Sequence, residues 1–168
     1  MGRLARIFKH RWLDESDARR ALDALALQRI EVRVAASERR HSGEIRVCVE
    51  AGLPLSYLWR DAAARERAVM LFGKLRVWDT AHNNGVLVYL LLAEHRIEIV
   101  ADRGLNVHVS AAQWQQINAA MAEAFRAGQF EAGLNQAIAA VDALLTRHFA
   151  IDAAQPNPNE LSDKPLLL

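Results

Sequence analysis

Six polar side chains in this 168-residue chain are of the types that can do chemistry, and all flank predicted strands or their turns. In chain order they are Glu44, Asp79, Asn83, Asn84, Asp102 and Arg103. Carboxylates and amide carbonyls are the hard oxygen ligands that calcium and magnesium prefer. Arg103, with the N-terminus of a helix capped by Ser110, would instead suit a phosphate or a carboxylate. The residues alone leave both chemistries open: a metal at Glu44, Asp79 and Asp102, or an anion or polar ligand at Asn83, Asn84 and Arg103.

A run of seven apolar residues, 86–92, marks the centre of the predicted sheet. It is too short to span a membrane and has no helical stripe, which is typical of a strand buried on both faces. A four-residue turn then leads to a second strand at 97–101, and the two form a hairpin. If Leu92 pairs with Ile97, Leu87 faces Asp102.

This register places Asn84 beside Arg103. An alternating strand at 44–50 precedes a helical segment at 60–75, which is long enough for a parallel crossover to the central strand. The crossover brings Glu44 to the same end of the sheet, and Asp79 precedes the Asn pair by a few residues. We therefore expect the six polar residues to gather at one edge.

A structural role also accounts for these residues. Asp79 would cap a turn, and Asn84-Gly85 would supply left-handed turn conformations. Asp102 and Arg103 would pair with each other or with the backbone. The six histidines show no zinc-ligand spacing, and a nucleophile elbow or a glycine-rich phosphate loop is not recognisable.

The first thirteen residues contain a short basic amphipathic segment. Leu4, Ile7, Phe8 and Trp12 recur at helical spacing, with Arg and Lys between them. Such a segment is typical of docking on a membrane surface or on a protein partner. The alternative is a helix that folds back onto its own domain. Positive charge is concentrated in residues 1–41, and the rest has no basic stripe, so we expect no nucleic-acid binding.

The remaining pattern predicts an α/β fold: a single domain with a small mixed sheet packed between helices. We divide the chain into a basic amphipathic N-terminal arm (1–26), the α/β domain (27–150) and a disordered tail (151–168), which holds three of the four prolines. Cys48 is the one cysteine, so an internal disulfide is excluded. With no secretory signal and no spanning segment visible, we expect a cytoplasmic protein, peripheral at the inner face of the membrane if the arm docks.

Four segments of the chain resemble the TPM domain family. They are 42–45 (Ser-Gly-Glu-Ile), 83–87 (Asn-Asn-Gly-Val-Leu), 98–104 (Glu-Ile-Val-Ala-Asp-Arg-Gly) and 125–134 (Phe-Arg-Ala-Gly-Gln-Phe-Glu-Ala-Gly-Leu). The resemblance spans residues 27–150 and is that of a short form, without signal peptide or membrane anchor. It implies a mixed sheet packed between helices in a single domain.

Members of that family are mostly envelope or thylakoid-lumen proteins linked to membrane complexes. The resemblance implies an accessory domain of a membrane-associated assembly that binds calcium or magnesium at one sheet edge, carried by Glu44, Asp79 and Asp102. Phosphatase activity has been proposed for some members. The alternative is therefore a divalent-metal phosphatase acting on phosphomonoesters, with Asp79 and Asp102 as metal or acid/base groups and Arg103 holding the phosphate.

Overall fold

A computed structural model of the protein describes residues 2–152 and 157–168. Over these residues the chain forms eight α-helices and four strands. The helices are α1 (Arg3–Arg11), α2 (Glu15–Ala21), α3 (Ala24–Glu38), α4 (Leu55–Trp59), α5 (Ala64–Lys74), α6 (Arg103–Asn106), α7 (Ala111–Arg126) and α8 (Phe130–Phe149). The strands are β1 (Ile45–Glu50), β2 (Val86–Leu91), β3 (Arg96–Ala101) and β4 (Leu166–Leu167).

The strands form one mixed sheet in the order β3-β2-β1-β4. β1 is parallel to both β2 and β4, and β2 is antiparallel to β3. The pairing of Ile45 with Val86 confirms the parallel crossover and places the starts of β1 and β2 at the same edge. The predicted fold class, a single α/β domain with a small mixed sheet between helices, is confirmed.

Helices cover both faces of the sheet, as the apolar run in β2 predicts. Every residue of β2 is buried. Val86, Val88 and Leu90 join the core cluster that includes buried residues of α2, α3, α7 and α8. Leu87, Tyr89 and Leu91 join a second cluster with α4 and α5 on the opposite face. Alternate side chains of one strand therefore serve two separate cores.

The hairpin register differs from the predicted one by two residues. Ile97 pairs with Leu90 instead of Leu92, and Leu87 faces Val100 instead of Asp102. The reason is the turn: Leu92–Glu94 form a 3-10 turn, and His95 closes it in the left-handed conformation with φ 49°. The side chains keep the predicted faces, because a shift of two residues preserves the alternation of a strand.

The predicted disordered tail is ordered where the structure describes it. Residues 157–168 cross the start of β1 and end as β4 on its open edge. The backbone N–H of Leu161 donates to Oε2 of Glu44 at 3.0 Å, and that of Leu168 donates to the carbonyl of Val49 at 2.9 Å. Prediction of disorder from proline content fails here because this segment satisfies backbone groups of an edge strand. Residues 153–156 of the predicted tail lie outside the described residues.

The predicted arm shares the core of the domain. Ala18 and Leu22, both within residues 1–26, are fully buried in the core cluster beneath α2. A capping box at Asp14 starts α2, and Asp23 caps α3 through the N–H of Ala26. The boundary predicted at residue 26 therefore separates residues that pack together. In the described part of the chain, no helix is both long and apolar enough to cross a membrane.

Candidate functional site

Most of the predicted polar residues lie at the edge where β1 and β2 begin, but they form several separate contacts and not one cluster. Asn83 and Arg103 meet there: the guanidinium Nη2 donates to Oδ1 of Asn83 at 2.9 Å. The backbone carbonyl of Asn83 accepts from the N–H of Gly104 at 2.8 Å. Asn83 has φ 52°, so it, and not Asn84, occupies the left-handed position of this turn. A Cβ on Gly104 would lie 2.5 Å from the Asn83 carbonyl oxygen, which explains the glycine.

Asn84 ties the two strand starts together from a fully buried position. Its backbone N–H donates to Oγ1 of Thr80 at 3.1 Å, and its amide Nδ2 donates to Oγ of Ser42 at 3.1 Å. Gly85 follows, and a Cβ there would lie 1.9 Å from the carbonyl oxygen of Val77. These contacts give the Asn-Asn-Gly segment a structural role in closing the crossover.

The three predicted metal-binding carboxylates have three different environments. Glu44 is buried: Oε2 accepts from Leu161, while Oε1 has no hydrogen-bond partner among the described residues. Burial raises the pKa of Glu44. Asp102 caps α6 by accepting from the N–H of Arg103 at 2.7 Å. Asp79 is exposed.

The structure does not bring these three carboxylates together as a preformed metal site. Within residues 2–152 and 157–168, no group of three or more His, Cys, Asp or Glu side chains is placed to hold one. One oxygen of Glu44 is already hydrogen-bonded to the backbone, and one oxygen of Asp102 caps a helix. These carboxylates bind backbone N–H groups, whereas calcium or magnesium would need six or more oxygen ligands around one point.

The N-terminal helix α1 is attached to the domain through its charged side. Arg6 donates from Nε to Glu94 at 2.8 Å, from Nη1 to Asp61 at 2.7 Å and from Nη2 to the carbonyl of Ala62 at 2.8 Å. His10 is buried: its Nδ1 accepts from the N–H of Leu53 at 2.9 Å. Nε2 then carries the proton, and it lies 3.2 Å from Oε1 of Glu94.

Glu94 accepts hydrogen bonds from both of these side chains. The bonds from His10 and Arg6 lower the pKa of Glu94 to about 2, although partial burial opposes the shift. The loop after β1 also approaches α1 closely at Gly52, where a Cβ would lie 2.5 Å from the carbonyl oxygen of His10. α1 thus folds back onto its own domain, one of the two alternatives that the sequence leaves open.

The opposite side of α1 is apolar and faces solvent. Leu4, Phe8 and Trp12 are 72%, 65% and 82% exposed, respectively, and lie one helical turn apart. We call these three residues the outward face. Ile7, the fourth predicted docking residue, instead packs against the second core cluster. Trp59 of α4, 68% exposed, lies beside α1 with its ring centroid 5.7 Å from the Arg3 guanidinium carbon.

Comparison with known proteins identifies the family. Residues 16–144, more than half of the chain, match the family described as the TPM domain. The chain belongs to the TPM domain family. Comparison with curated proteins found no match. The family match covers α2 to most of α8 and includes the polar edge.

Two solved structures share the TPM fold of this chain. The NMR structure of the BA42 protein from the psychrophilic bacterium Bizionia argentinensis is 26% identical, with a TM-score of 0.75 over 88% of this chain and 95% of that chain. The NMR structure of the N-terminal domain of a protein from P. gingivalis is 20% identical, with a TM-score of 0.63 over 78% and 82% of the two chains. The second likeness supports the fold alone.

The TPM domain also contains a buried polar network that the sequence does not reveal. Oγ of Ser37 lies 2.9 Å from Nε2 of His41 and donates to Oδ1 of Asp142 at 2.9 Å. Nδ1 of His41 lies 3.0 Å from the carbonyl of Gly43. Burial lowers the pKa of His41, with Asp142 opposing the shift. The i, i+4 spacing of Ser37 and His41 is visible in the sequence, but their contact with Asp142 of α8 is not predictable from it.

This Ser-His-Asp network is not arranged for nucleophilic catalysis. In a catalytic triad the carboxylate orients the imidazole from Nδ1, opposite the serine. Here Asp142 lies on the Nε2 side, 3.6 Å from that nitrogen, and shares the serine with it. A backbone carbonyl takes the place of the orienting carboxylate at Nδ1. The network therefore joins α3 to α8 and stabilises the packing of the TPM domain.

Proposed function

We propose that this TPM domain is an interaction domain that docks peripherally on an anionic membrane surface through the outward face of α1. The observation that carries the proposal is the orientation of α1. Arg6 and His10 face the domain and form its polar attachment, while Leu4, Phe8 and Trp12 face solvent. A helix on the surface of a globular domain ordinarily does the reverse.

The energy available to such a face supports an external partner. Burying a large apolar side chain stabilises a protein by roughly 1.5–3 kcal/mol. The three side chains of the outward face do not contribute this free energy while they are exposed to water. Exposed apolar residues that adjoin one another on one face are typical of a binding site. The fixed position of α1 on the domain favours docking further, because little ordering of the helix is required on binding.

The chemistry around the outward face favours a lipid surface with negative charge. Arg3, Lys9 and Arg11 are exposed on the same short helix, and each basic group near an anionic surface contributes about 1 kcal/mol. Trp12 has the amphipathic ring that suits the headgroup region, and Trp59 lies beside α1. The nine residues of α1 span about 14 Å at 1.5 Å each, so the helix would lie in the plane of the membrane.

Vesicle co-sedimentation tests the proposal. The full chain is mixed with phosphatidylglycerol-containing vesicles or with pure phosphatidylcholine vesicles, and the pelleted fraction is measured at low and high salt. We expect binding to the anionic vesicles that weakens with salt, and loss of it in the triple variant Leu4→Ser, Phe8→Ser, Trp12→Ser. Substitution is preferable to deletion of α1, because deletion would also remove Arg6 and His10 from the domain.

A matched control uses three apolar residues that are exposed elsewhere. Leu25, Val69 and Val107 are 63%, 50% and 77% exposed and do not belong to α1. Their joint substitution by Ser should leave vesicle binding unchanged. Absence of binding by the wild-type chain, or equal binding by both triple variants, would overturn membrane docking by α1.

The second candidate is phosphomonoester hydrolysis with a divalent cation at the polar edge. One observation favours it: Oδ2 of Asp102 is buried and has no hydrogen-bond partner among the described residues, and Arg103 follows it. The test is phosphatase activity of the wild type and Asp102→Asn with added magnesium or calcium. Turnover that is lost in the variant supports the candidate; equal turnover, or none by either protein, removes it.

A further inference from the structure

A cavity of about 340 Å³ lies in the groove between α3 and α8, apart from both the polar edge and the outward face. We call it the α3–α8 groove. Arg29, Arg33 and Arg40 of the α3 region line it, at the spacing i, i+4 and i+11 that puts side chains on one face of a helix. The apolar lining includes Val32 and Ile138. The groove therefore combines positive charge with apolar surface.

Two of the three arginines are neutralised by carboxylates of α8. Arg29 pairs in a bidentate manner with Glu131, with Nε–Oε1 at 2.6 Å and Nη2–Oε2 at 2.8 Å. Arg40 pairs with Asp142. Asp142 also accepts from Ser37, so both of its oxygens are hydrogen-bonded. The positive charges of Arg29 and Arg40 are therefore matched within the fold.

Arg33, between these pairs, has no such partner. Within the described residues it makes no ion pair or side-chain hydrogen bond, although it lines the cavity. Four residues after Glu131, where the same spacing on α8 would place a partner for Arg33, the chain has the neutral residue Asn135. The α3–α8 groove thus has one guanidinium left to bind an external anion.

We propose that the α3–α8 groove binds a small aliphatic carboxylate, with Arg33 holding the carboxylate and Val32 and Ile138 contacting the hydrocarbon part. A guanidinium presents two parallel N–H donors that match a carboxylate. The single unmatched charge favours a monoanion, because a second negative charge would have no counter-charge and would lie near Asp142. The apolar lining favours a hydrocarbon chain over a second polar group.

NMR titration of the full chain with hexanoate tests this site. Amide shifts of Val32, Arg33 and Ile138 are followed with increasing ligand, in wild type, Arg33→Gln and Arg39→Gln. Arg39 is an exposed arginine that does not line this groove. We expect saturable binding that weakens about tenfold or more in Arg33→Gln and is unchanged in Arg39→Gln, as loss of a bidentate charged pair implies.

Two further ligands define the class. N-acetyl-leucine carries the same carboxylate on a peptide-like molecule, and binding comparable to that of hexanoate would assign the site to peptide C-termini as a source of the anion. Inorganic phosphate tests the charge argument, and binding tighter than that of hexanoate would overturn the proposal. Absence of saturable shifts with hexanoate, or equal affinity of wild type and Arg33→Gln, would also overturn it. None of these variants alters α1, so the outcome is independent of membrane docking.

Discussion

The two ends of the chain pack against the same domain beside carboxyl groups whose pKa values are shifted in opposite directions. At the N-terminal end, Glu94 receives Arg6 and His10 from α1, and its pKa falls to about 2. At the C-terminal end, Glu38 and Glu44 are almost completely buried beside residues 157–168 and form no ion pair within the described part of the chain. Burial raises the pKa of both, that of Glu38 to about 9.

The difference shows that burial alone does not set the charge of a carboxyl group. Glu94 remains ionised because two donors compensate for its lost hydration. Oε1 of Glu38 accepts from the N–H of Ile45, and the nearby charges of Glu44 and Asp163 raise its pKa further. The N-terminal attachment is therefore an ion-paired contact, whereas the C-terminal segment packs beside buried carboxyl groups whose pKa values are raised.

The largest expected effect is on the C-terminal side, in Glu38→Gln. Because the folded-state pKa is about 9 against 4.5 for an unperturbed group, the folded chain retains a proton that the unfolded chain loses. Its stability contribution is full below pH 4.5 and declines by about 1.4 kcal/mol per pH unit as pH rises toward 9. The substituted amide would keep an acceptor for the N–H of Ile45 and carry no charge. We expect the variant to be more stable than wild type at pH 8 by up to about 5 kcal/mol, which is about 1.4 kcal/mol for each pH unit between 4.5 and 8.

Urea unfolding at pH 5 and pH 8 measures this effect. The gain should be small at pH 5 and grow with pH, because only the wild type has a carboxyl to ionise. A gain that is equal at the two pH values would indicate a packing effect, and a loss of stability at pH 8 would show that Glu38 is ionised in the folded protein.

A smaller effect of opposite sign is expected on the N-terminal side, in Glu94→Gln. The lowered pKa means that Glu94 stabilises the fold above pH 4.5, and that this contribution is lost as pH falls toward 2. Removing the charge leaves Arg6 and His10 without their shared partner. We expect a loss of about 2 kcal/mol at pH 7, below the full linkage value because water partly screens the pair.

The surface pair Arg60–Glu66 provides the control for that measurement. Both side chains are about half exposed, at 51% and 49%. Glu66→Gln should change the free energy of unfolding by less than about 0.5 kcal/mol. If the two Glu→Gln variants lose equal stability, the N-terminal contact is an ordinary surface pair and the contrast between the two ends does not hold.

The sequence predicts the parts of the fold that local patterns determine. The apolar run of β2, the alternation of β1 and the cap at Ser110 all correspond to elements of the structure. The hairpin register escapes prediction by two residues because the four-residue turn lies one residue earlier than predicted, at 92–95, where it ends at the left-handed His95. The C-terminal strand escapes because two residues of edge pairing leave no periodic pattern.

The candidate sites were less predictable, because contacts between distant segments decide them. Sequence periodicity correctly identifies α1 as amphipathic but implies that its apolar side would face the domain if it folded back. The contacts of Arg6 with Asp61 and Glu94 reverse that orientation. Likewise, Arg103 lies at the predicted edge but contacts Asn83 instead of Asn84, and Glu44 accepts a hydrogen bond from Leu161, in a segment expected to be disordered.

The smallest effect on stability is expected from substitutions on the outward face of α1, the surface proposed to bind the membrane. The triple variant Leu4→Ser, Phe8→Ser, Trp12→Ser removes apolar groups that are already in water, so each change should alter the free energy of unfolding by no more than about 0.5 kcal/mol. Ile7→Ser, on the opposite side of the same helix, should cost about 1–2 kcal/mol because Ile7 packs against the second core cluster. Urea unfolding at pH 7 measures both.

These two variants distinguish the packing of α1 against its own domain from the binding of α1 to a membrane. If the polar contacts of Arg6 and His10 hold the helix, the triple variant should unfold at the wild-type urea concentration and yet lose vesicle binding. Large destabilisation by the triple variant would show that the outward face packs within the protein, because exposed side chains have no native contacts to lose. The same residues would then stabilise the fold, and no face of α1 would remain for a membrane.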